Sequence, residues 1–186
     1  IFSNYYLKQL VLPSRLKDFA VGQIDSCNEL ANVSIVGEGG DYVIKENMIC
    51  GNKGATLIWV PQGVTGALTI PSGVNTIGEK AFKNHTLTSI EIPAWVNTIE
   101  KQAFAYCYNL TSLTFKDDDV SSKLAIKDHA FYSCHGLKEA VLTPNIQSIE
   151  AYAFGYTINL TKVTVNSTGL TAEGDTVPAL AFADYA

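Results

Sequence analysis

The strongest constraint on the fold of this chain is self-similarity at a nearly fixed period. Six segments follow the pattern L-x-x-[apolar]-x-[apolar]: Leu7-Leu10-Leu12, Leu30-Val33-Ile35, Leu87-Ile90-Ile92, Leu110-Leu113-Phe115, Leu137-Ala140-Leu142 and Leu160-Val163-Val165. Their starts differ by 23, 57, 23, 27 and 23 residues. A second register runs in phase, with an apolar residue a fixed step ahead of Ala-Phe. Its copies are Ile77…Ala81-Phe82, Ile99…Ala103-Phe104, Ile126…Ala130-Phe131, Ile149…Ala153-Phe154 and Val177…Ala181-Phe182. No single unit of this length can bury its own apolar face, so stability has to come from stacking on neighbours.

Each unit reads as one short strand, a turn often marked by proline (Pro13, Pro71, Pro93, Pro144) and a brief helical stretch. Alternation carries the strand: in Ser89-Ile90-Glu91-Ile92, apolar and polar residues take opposite faces. Good helix formers with early acidic residues carry the helix, as in Glu79-Lys80-Ala81-Phe82, Glu100-Lys101-Gln102-Ala103-Phe104 and Glu150-Ala151-Tyr152-Ala153-Phe154. Pro178 near the start of the last stretch suits a first helical turn. Residues 36–69 break the period. Their turn signals at Gly39-Gly40, Gly51-Asn52, Gly54 and Gly63 separate strand-like runs at Tyr42–Ile44, Thr56–Val60 and Leu68–Ile70, expected to continue or flank the sheet. Four extra residues around Lys116-Asp117-Asp118-Asp119-Val120 make a solvated acidic bulge.

The segment from Ile70-Pro71-Ser72-Gly73-Val74-Asn75-Thr76-Ile77-Gly78-Glu79-Lys80-Ala81-Phe82 to Leu87-Thr88-Ser89-Ile90 closely resembles the BspA-like leucine-rich repeats of bacterial surface proteins. So does Ile99–Leu113, and the resemblance extends over 70–165, with weaker copies at 7–35 and 166–186. The first full repeat departs from it, with Ile24-Asp25 where Ala-Phe is expected. The fold expected is an α/β repeat: a right-handed leucine-rich repeat solenoid with a parallel β-sheet on one face and short helical turns carrying Ala-Phe on the other. One domain is expected over 1–186, made of divergent repeats at 1–35, an irregular strand-rich insertion at 36–69, regular repeats at 70–165 and a partial repeat at 166–186. The resemblance implies export to the cell surface or beyond and a binding or adhesion role without catalysis. Because members of the family bind varied proteins, the partner does not transfer. The chain starts at Ile1 rather than Met, so secretion or a lipid anchor would depend on a segment not present here.

Composition narrows the function. A net charge of −5 with no basic stripe argues against nucleic acid, and no apolar run is long enough to span a bilayer. Neither a nucleophile elbow, a phosphate loop nor a His-Glu-x-x-His motif occurs, so no catalytic residues are assigned. Cys27, Cys107 and Cys134 share a column with His85 and Thr157. This column allows a Cys107–Cys134 disulfide or a Cys/His metal site with His85 and His135, but an internal ladder of small, weakly polar side chains is the simpler use. No metal or cofactor is expected. Asn84-His85-Thr86, Asn109-Leu110-Thr111 and Asn159-Leu160-Thr161 match a glycosylation acceptor but coincide with the repeat, and read as turn residues.

What remains is the outward face of the sheet. Its candidate binding residues are Asn32, Ser34, Ser89, Glu91, Ser112, Thr114, Glu139, Val141, Lys162 and Thr164, with Gln9 and Val11 beside them. At the strand spacing they would form a surface about 25–30 Å long. Trp95 is expected to be a partly exposed aromatic contact, while Trp59, Tyr106, Tyr108, Tyr132, Tyr152 and Tyr156 would line an edge or the convex side, with packing between repeats the commoner use for each tyrosine taken alone. The partner expected is a macromolecule, a protein of a host or neighbouring cell surface or else a glycan, bound by a monomer. Two alternatives stand beside a protein-binding module: a spacer or stalk in a larger surface protein, and a carbohydrate-binding accessory module.

Overall fold

A computed structural model describes residues 4–17, 19, 24, 27–117, 121–167, 170 and 180–184. Its strands are β1 (Gln9–Pro13), β2 (Asn32–Val36), β3 (Val43–Lys45), β4 (Met48–Gly51), β5 (Thr56–Trp59), β6 (Ala67–Thr69), β7 (Thr76–Ile77), β8 (Ser89–Ile92), β9 (Thr98–Ile99), β10 (Ser112–Phe115), β11 (Leu124–Ile126), β12 (Glu139–Leu142), β13 (Ile146–Ile149) and β14 (Lys162–Val165).

Every regular coil contributes twice to parallel pairing. The Leu-pattern strands pair in register, with Ile90 opposite Leu68 and Leu113, and Ala140 opposite Val163. The residues leading into Ala-Phe pair again: β7, β9, β11 and β13 form a second parallel ladder in which Ile77 meets Ile99 and Ile126 meets Ile149. Between the two strands of a coil, the prolines open the expected turns; Val74 and Val96 donate their N–H groups to Pro71 and Pro93.

The Ala-Phe segments are not helical. Among the described residues the helical element is a single 3-10 turn at Asn52–Gly54. Two residues per coil have positive φ instead: Lys80 and Asn84, Gln102 and Tyr106, His129 and Ser133, Tyr152 and Tyr156. Each is the third residue of a four-residue turn, the position that a type II turn places in the left-handed region. The amides then alternate in their partners. Ala81, Lys83 and His85 donate within their own coil, whereas Lys80, Phe82 and Asn84 donate to Lys101, Ala103 and Ala105 of the next. A helix would satisfy these groups internally and leave the neighbouring coil unpaired, so tertiary pairing overrides good helix formers. Val177 and Pro178 of the last such stretch lie outside the described residues.

This geometry aims the phenylalanines inward. Phe82, Phe104, Phe131, Phe154 and Phe182 stack in line with centroid separations of 4.6, 4.9, 5.0 and 5.2 Å. The first four are fully buried and form the spine of one core with Leu87, Ile90, Leu110, Leu137 and the Ile77–Ile149 row. Ile24 stands buried in a smaller N-terminal core with Leu10, Cys27, Leu30 and Trp59, while Asp25 lies outside the described residues.

The insertion does two things. As expected, β6 continues the Leu-pattern sheet beside β8. The strand β4, which the sequence reading did not foresee, makes β3–β4–β5 an antiparallel meander, and β5 joins the second ladder through β7. Glu46 and Asn47, with φ of 47° and 65°, form the two-residue tip between β3 and β4. This tip bridges a break in the sheet. Asn47 accepts at Oδ1 from the Val33 N–H (2.9 Å) and donates to the Ala31 carbonyl, while Glu46 accepts from the Thr69 hydroxyl at 3.1 Å. Trp59, read as an edge or outer aromatic, is only 1% exposed because the meander carries it into the N-terminal core.

Candidate functional site

Alternation sorts the candidate surface on β8, β10 and β12 but not on β14, where Val163 and Val165, expected to face inward, are 38% and 53% exposed. On β8, β10 and β12 the residues Glu91, Ser112, Thr114, Glu139 and Val141 are exposed, and Ser89 is half-buried. Asn32 and Lys162 are exposed, while Ser34 and Thr164 are half-buried. Register then forms rows across the sheet: Ala67–Ser89–Ser112 and Thr69–Glu91–Thr114. Two shorter rows, Glu139–Lys162 and Val141–Thr164, continue the surface, as do Gln9–Asn32 and Val11–Ser34 at the other end.

The face is not one unbroken sheet of the expected length. Hydrogen-bonded pairing divides it into β1–β2, β6–β8–β10 and β12–β14. The Glu46–Asn47 tip occupies the first gap. At the second, β12 lies beside β10 without a ladder, where the acidic bulge lengthens the coil. Of that bulge Asp117 is exposed, while Asp118, Asp119 and Val120 lie outside the described residues. The charged residues of the face are matched within it, Glu91 with Lys116 at 3.2 Å and Glu139 with Lys162 at 3.4 Å. At these exposures each pair contributes little to stability, but it lowers the net field a ligand meets.

Beside the first break, a cleft of about 570 Å³ opens between β2 and β3, lined among others by Ser34, Ile35, Glu38, Tyr42 and Ile44. Trp95, in the turn after β8, is 51% exposed, as the sequence suggested. The tyrosines divide: Tyr108 and Tyr156 are 53% and 44% exposed on the turn face, while Tyr106, Tyr132 and Tyr152 are half-buried beside them.

The shared column of Cys27, His85, Cys107, Cys134 and Thr157 is internal. Cys107 and Cys134 donate their thiols to the Phe82 and Phe104 carbonyls at 3.0 and 3.2 Å, and none of the four cysteines is joined in a disulfide. Burial pushes the Cys107 thiol well above its ordinary value and Cys50 up to about 11. His85 accepts at Nδ1 from the Leu87 N–H and lies 3.1 Å from the Pro61 carbonyl through Nε2, which fixes a neutral imidazole. Its burial drives the pKa down to about 4. These groups cap carbonyls of neighbouring coils rather than converging on a ligand; among the described residues no three His, Cys, Asp or Glu side chains gather to hold a metal ion.

Coils that pair in parallel along both of their strands, with leucine and phenylalanine columns between, define a leucine-rich repeat β-solenoid. The pattern of the BspA type leucine-rich repeat region matches residues 64–176 in six copies, and the chain belongs to that family. Solved structures give the same fold. The crystal structure of the pneumococcal vaccine antigen PcpA superposes with a TM-score of 0.72 at 20% identity, covering 86% of this chain and 39% of that one. A leucine-rich cell surface protein of Faecalibacterium prausnitzii gives a TM-score of 0.62 at 23% identity, with 87% and 48% covered. A leucine-rich repeat protein of Bacteroides capillosus gives 0.58 at 26% identity, with 68% and 99% covered. The chain thus spans less than half the length of the first two of these. No curated protein matches it. Among the described residues no helix is long and apolar enough to cross a membrane.

Proposed function

We propose that this chain is a non-catalytic module of a secreted or surface-displayed protein that binds a partner protein through the outward face of its Leu-pattern strands. The observation that carries this reading is the set of in-register exposed rows, Ser89–Ser112 and Glu91–Thr114 above all, on strands whose alternate residues are locked in the core. Because the backbone beneath is already ordered, a partner docking on Asn32, Ser34, Ser89, Glu91, Ser112, Thr114, Glu139, Val141, Lys162 and Thr164 loses little loop entropy on binding. Export is supported by the family and by the cell surface protein of like fold.

The internal pairing of Glu91 and Glu139 with lysines favours a second reading, a passive spacer in a longer surface protein. Placing a photo-cross-linking amino acid at Ser112, and at exposed Lys53 on the insertion as control, separates the two. A binding face gives a discrete cross-linked partner protein from position 112 that Glu91→Arg diminishes. A spacer gives the same faint background from both positions, and that result would overturn the binding reading. Cross-links to glycan alone would favour a carbohydrate-binding module, for which exposed Trp95 is the natural contact.

A further inference from the structure

The turn face carries a feature that the sheet face lacks. Five aromatic side chains from three successive coils form a closed circuit. Tyr106 contacts Tyr132 (5.7 Å between centroids), Tyr132 contacts Tyr156 (6.1 Å), Tyr156 contacts His135 (5.9 Å), His135 contacts Tyr108 (4.9 Å), and Tyr108 returns to Tyr106 (6.2 Å). Packing alone does not account for it. Tyr106 and Tyr156 occupy left-handed positions with φ of 63° and 55°, where the equivalent residues of other coils are the short Asn84 and Ser133. A bulky residue is disfavoured in that conformation, so the two tyrosines stand out from the short residues of their own column. Ser133 holds the intervening place in that column, and the neighbouring Tyr132 ring links the two tyrosines across it. The Nε2 atom of His135 is buried there without a hydrogen-bond partner.

The charges around the circuit specify its guest. Tyrosine faces carry negative potential and attract cations within about 6 Å of the ring centroid. One ring already does so, since Lys83 Nζ lies 5.6 Å from the Tyr106 centroid. At the opposite rim Asp184 accepts the Tyr156 N–H at 2.7 Å, placing a carboxylate beside the rings. The chain as a whole carries a net charge of −5, which steers basic partners toward it. A planar guanidinium stacks on such faces while bonding a carboxylate at its edge, which an ammonium does less well. Tyrosine and arginine are also both enriched among the residues that carry most of the binding energy at protein interfaces.

We propose that this aromatic circuit is a docking site for an arginine-bearing segment of a partner protein. It shares with the reading of the sheet face only that the partner is a protein, and lies on a different surface.

The test follows tyrosine ring signals by NMR on the whole chain labelled with 13C-tyrosine. The probes are a hexapeptide of alternating glycine and arginine, its citrulline counterpart and maltoheptaose. Saturable shifts of Tyr108 and Tyr156 are expected with the arginine peptide, at least tenfold weaker with citrulline and lost in Tyr108→Ala. Asp184→Asn keeps an oxygen to accept the Tyr156 N–H but removes the charge, and should weaken binding several-fold with the fold intact. Glu91→Arg on the sheet face should leave these shifts unchanged, so failure of the sheet-face reading and failure of this one remain distinct. Equal response to citrulline, response to maltoheptaose alone, or no response to any probe would overturn the proposal.

Discussion

Phe104 sits midway along the phenylalanine spine, and its truncation is the sharpest test of the stacking argument. Its ring is fully buried and lies between Phe82 at 4.6 Å and Phe131 at 4.9 Å, nearly parallel to both. Neither neighbour can move in to fill the void, because each is held by backbone bonds to adjoining coils: Phe82 N–H to Ala103 and Phe131 N–H to Ala153. Phe104→Ala therefore loses the transfer free energy of a full aromatic and leaves a cavity, a cost of about 3–5 kcal/mol. For a chain of this size about 2–4 °C of Tm is lost per kcal/mol, so a drop on the order of 6–20 °C is expected. Thr114→Ala, on the exposed face one coil edge away, should stay within about 0.5 kcal/mol. Urea unfolding followed by circular dichroism measures both. The Phe104 variant should also show a lower m-value, since removing the coupling between middle coils lets the two ends unfold apart. Equal midpoints for the two variants would refute the assignment of inward and outward faces.

Two further outcomes test the turn geometry and the internal column. Gln102 has φ of 57°, so Gln102→Gly should be neutral or stabilising, whereas a helical segment would lose about 1 kcal/mol; a loss of that size in urea titration would contradict the turn assignment. The depressed pKa of His85, about 4 against an ordinary 6.5, means that the unfolded chain takes up the proton first as pH falls. The stability from its neutral form is thus whole above pH 6.5 and declines toward pH 4, by about 3 kcal/mol in all. Relative to the wild type, His85→Thr should flatten the stability profile in that window, and parallel profiles would argue against a buried neutral imidazole.

Much of this was legible in the sequence, and the exceptions share a cause. The leucine and phenylalanine columns were plain because burial demands the same residue type at every coil; Phe182 stacks at 5.2 Å although part of its repeat is undescribed. The Ala-Phe turns were misread because Glu, Lys, Gln and Ala favour helix locally, whereas the amides of Phe82 and Phe104 are claimed by the next coil. Strands as short as Thr76–Ile77 are too brief to show alternation, so the second ladder left no signal beyond its isoleucines. The hairpin tip at Glu46-Asn47 lacks the glycine that usually marks such turns, which concealed β4 and with it the burial of Trp59. On the turn face, Tyr106 and Tyr156 drew notice as single residues, but their left-handed backbone and mutual contacts exist only once the coils are stacked.

The division of amides on the turn face, half to their own coil and half to the next, also sets how such a stack responds to load. The bonds that join coils run along the axis, in line with any pull between its two ends. Tension therefore opens one junction at a time, like a zipper, instead of shearing many bonds together. Because each coil is held only by its neighbours, such a stack is expected to yield and re-form coil by coil.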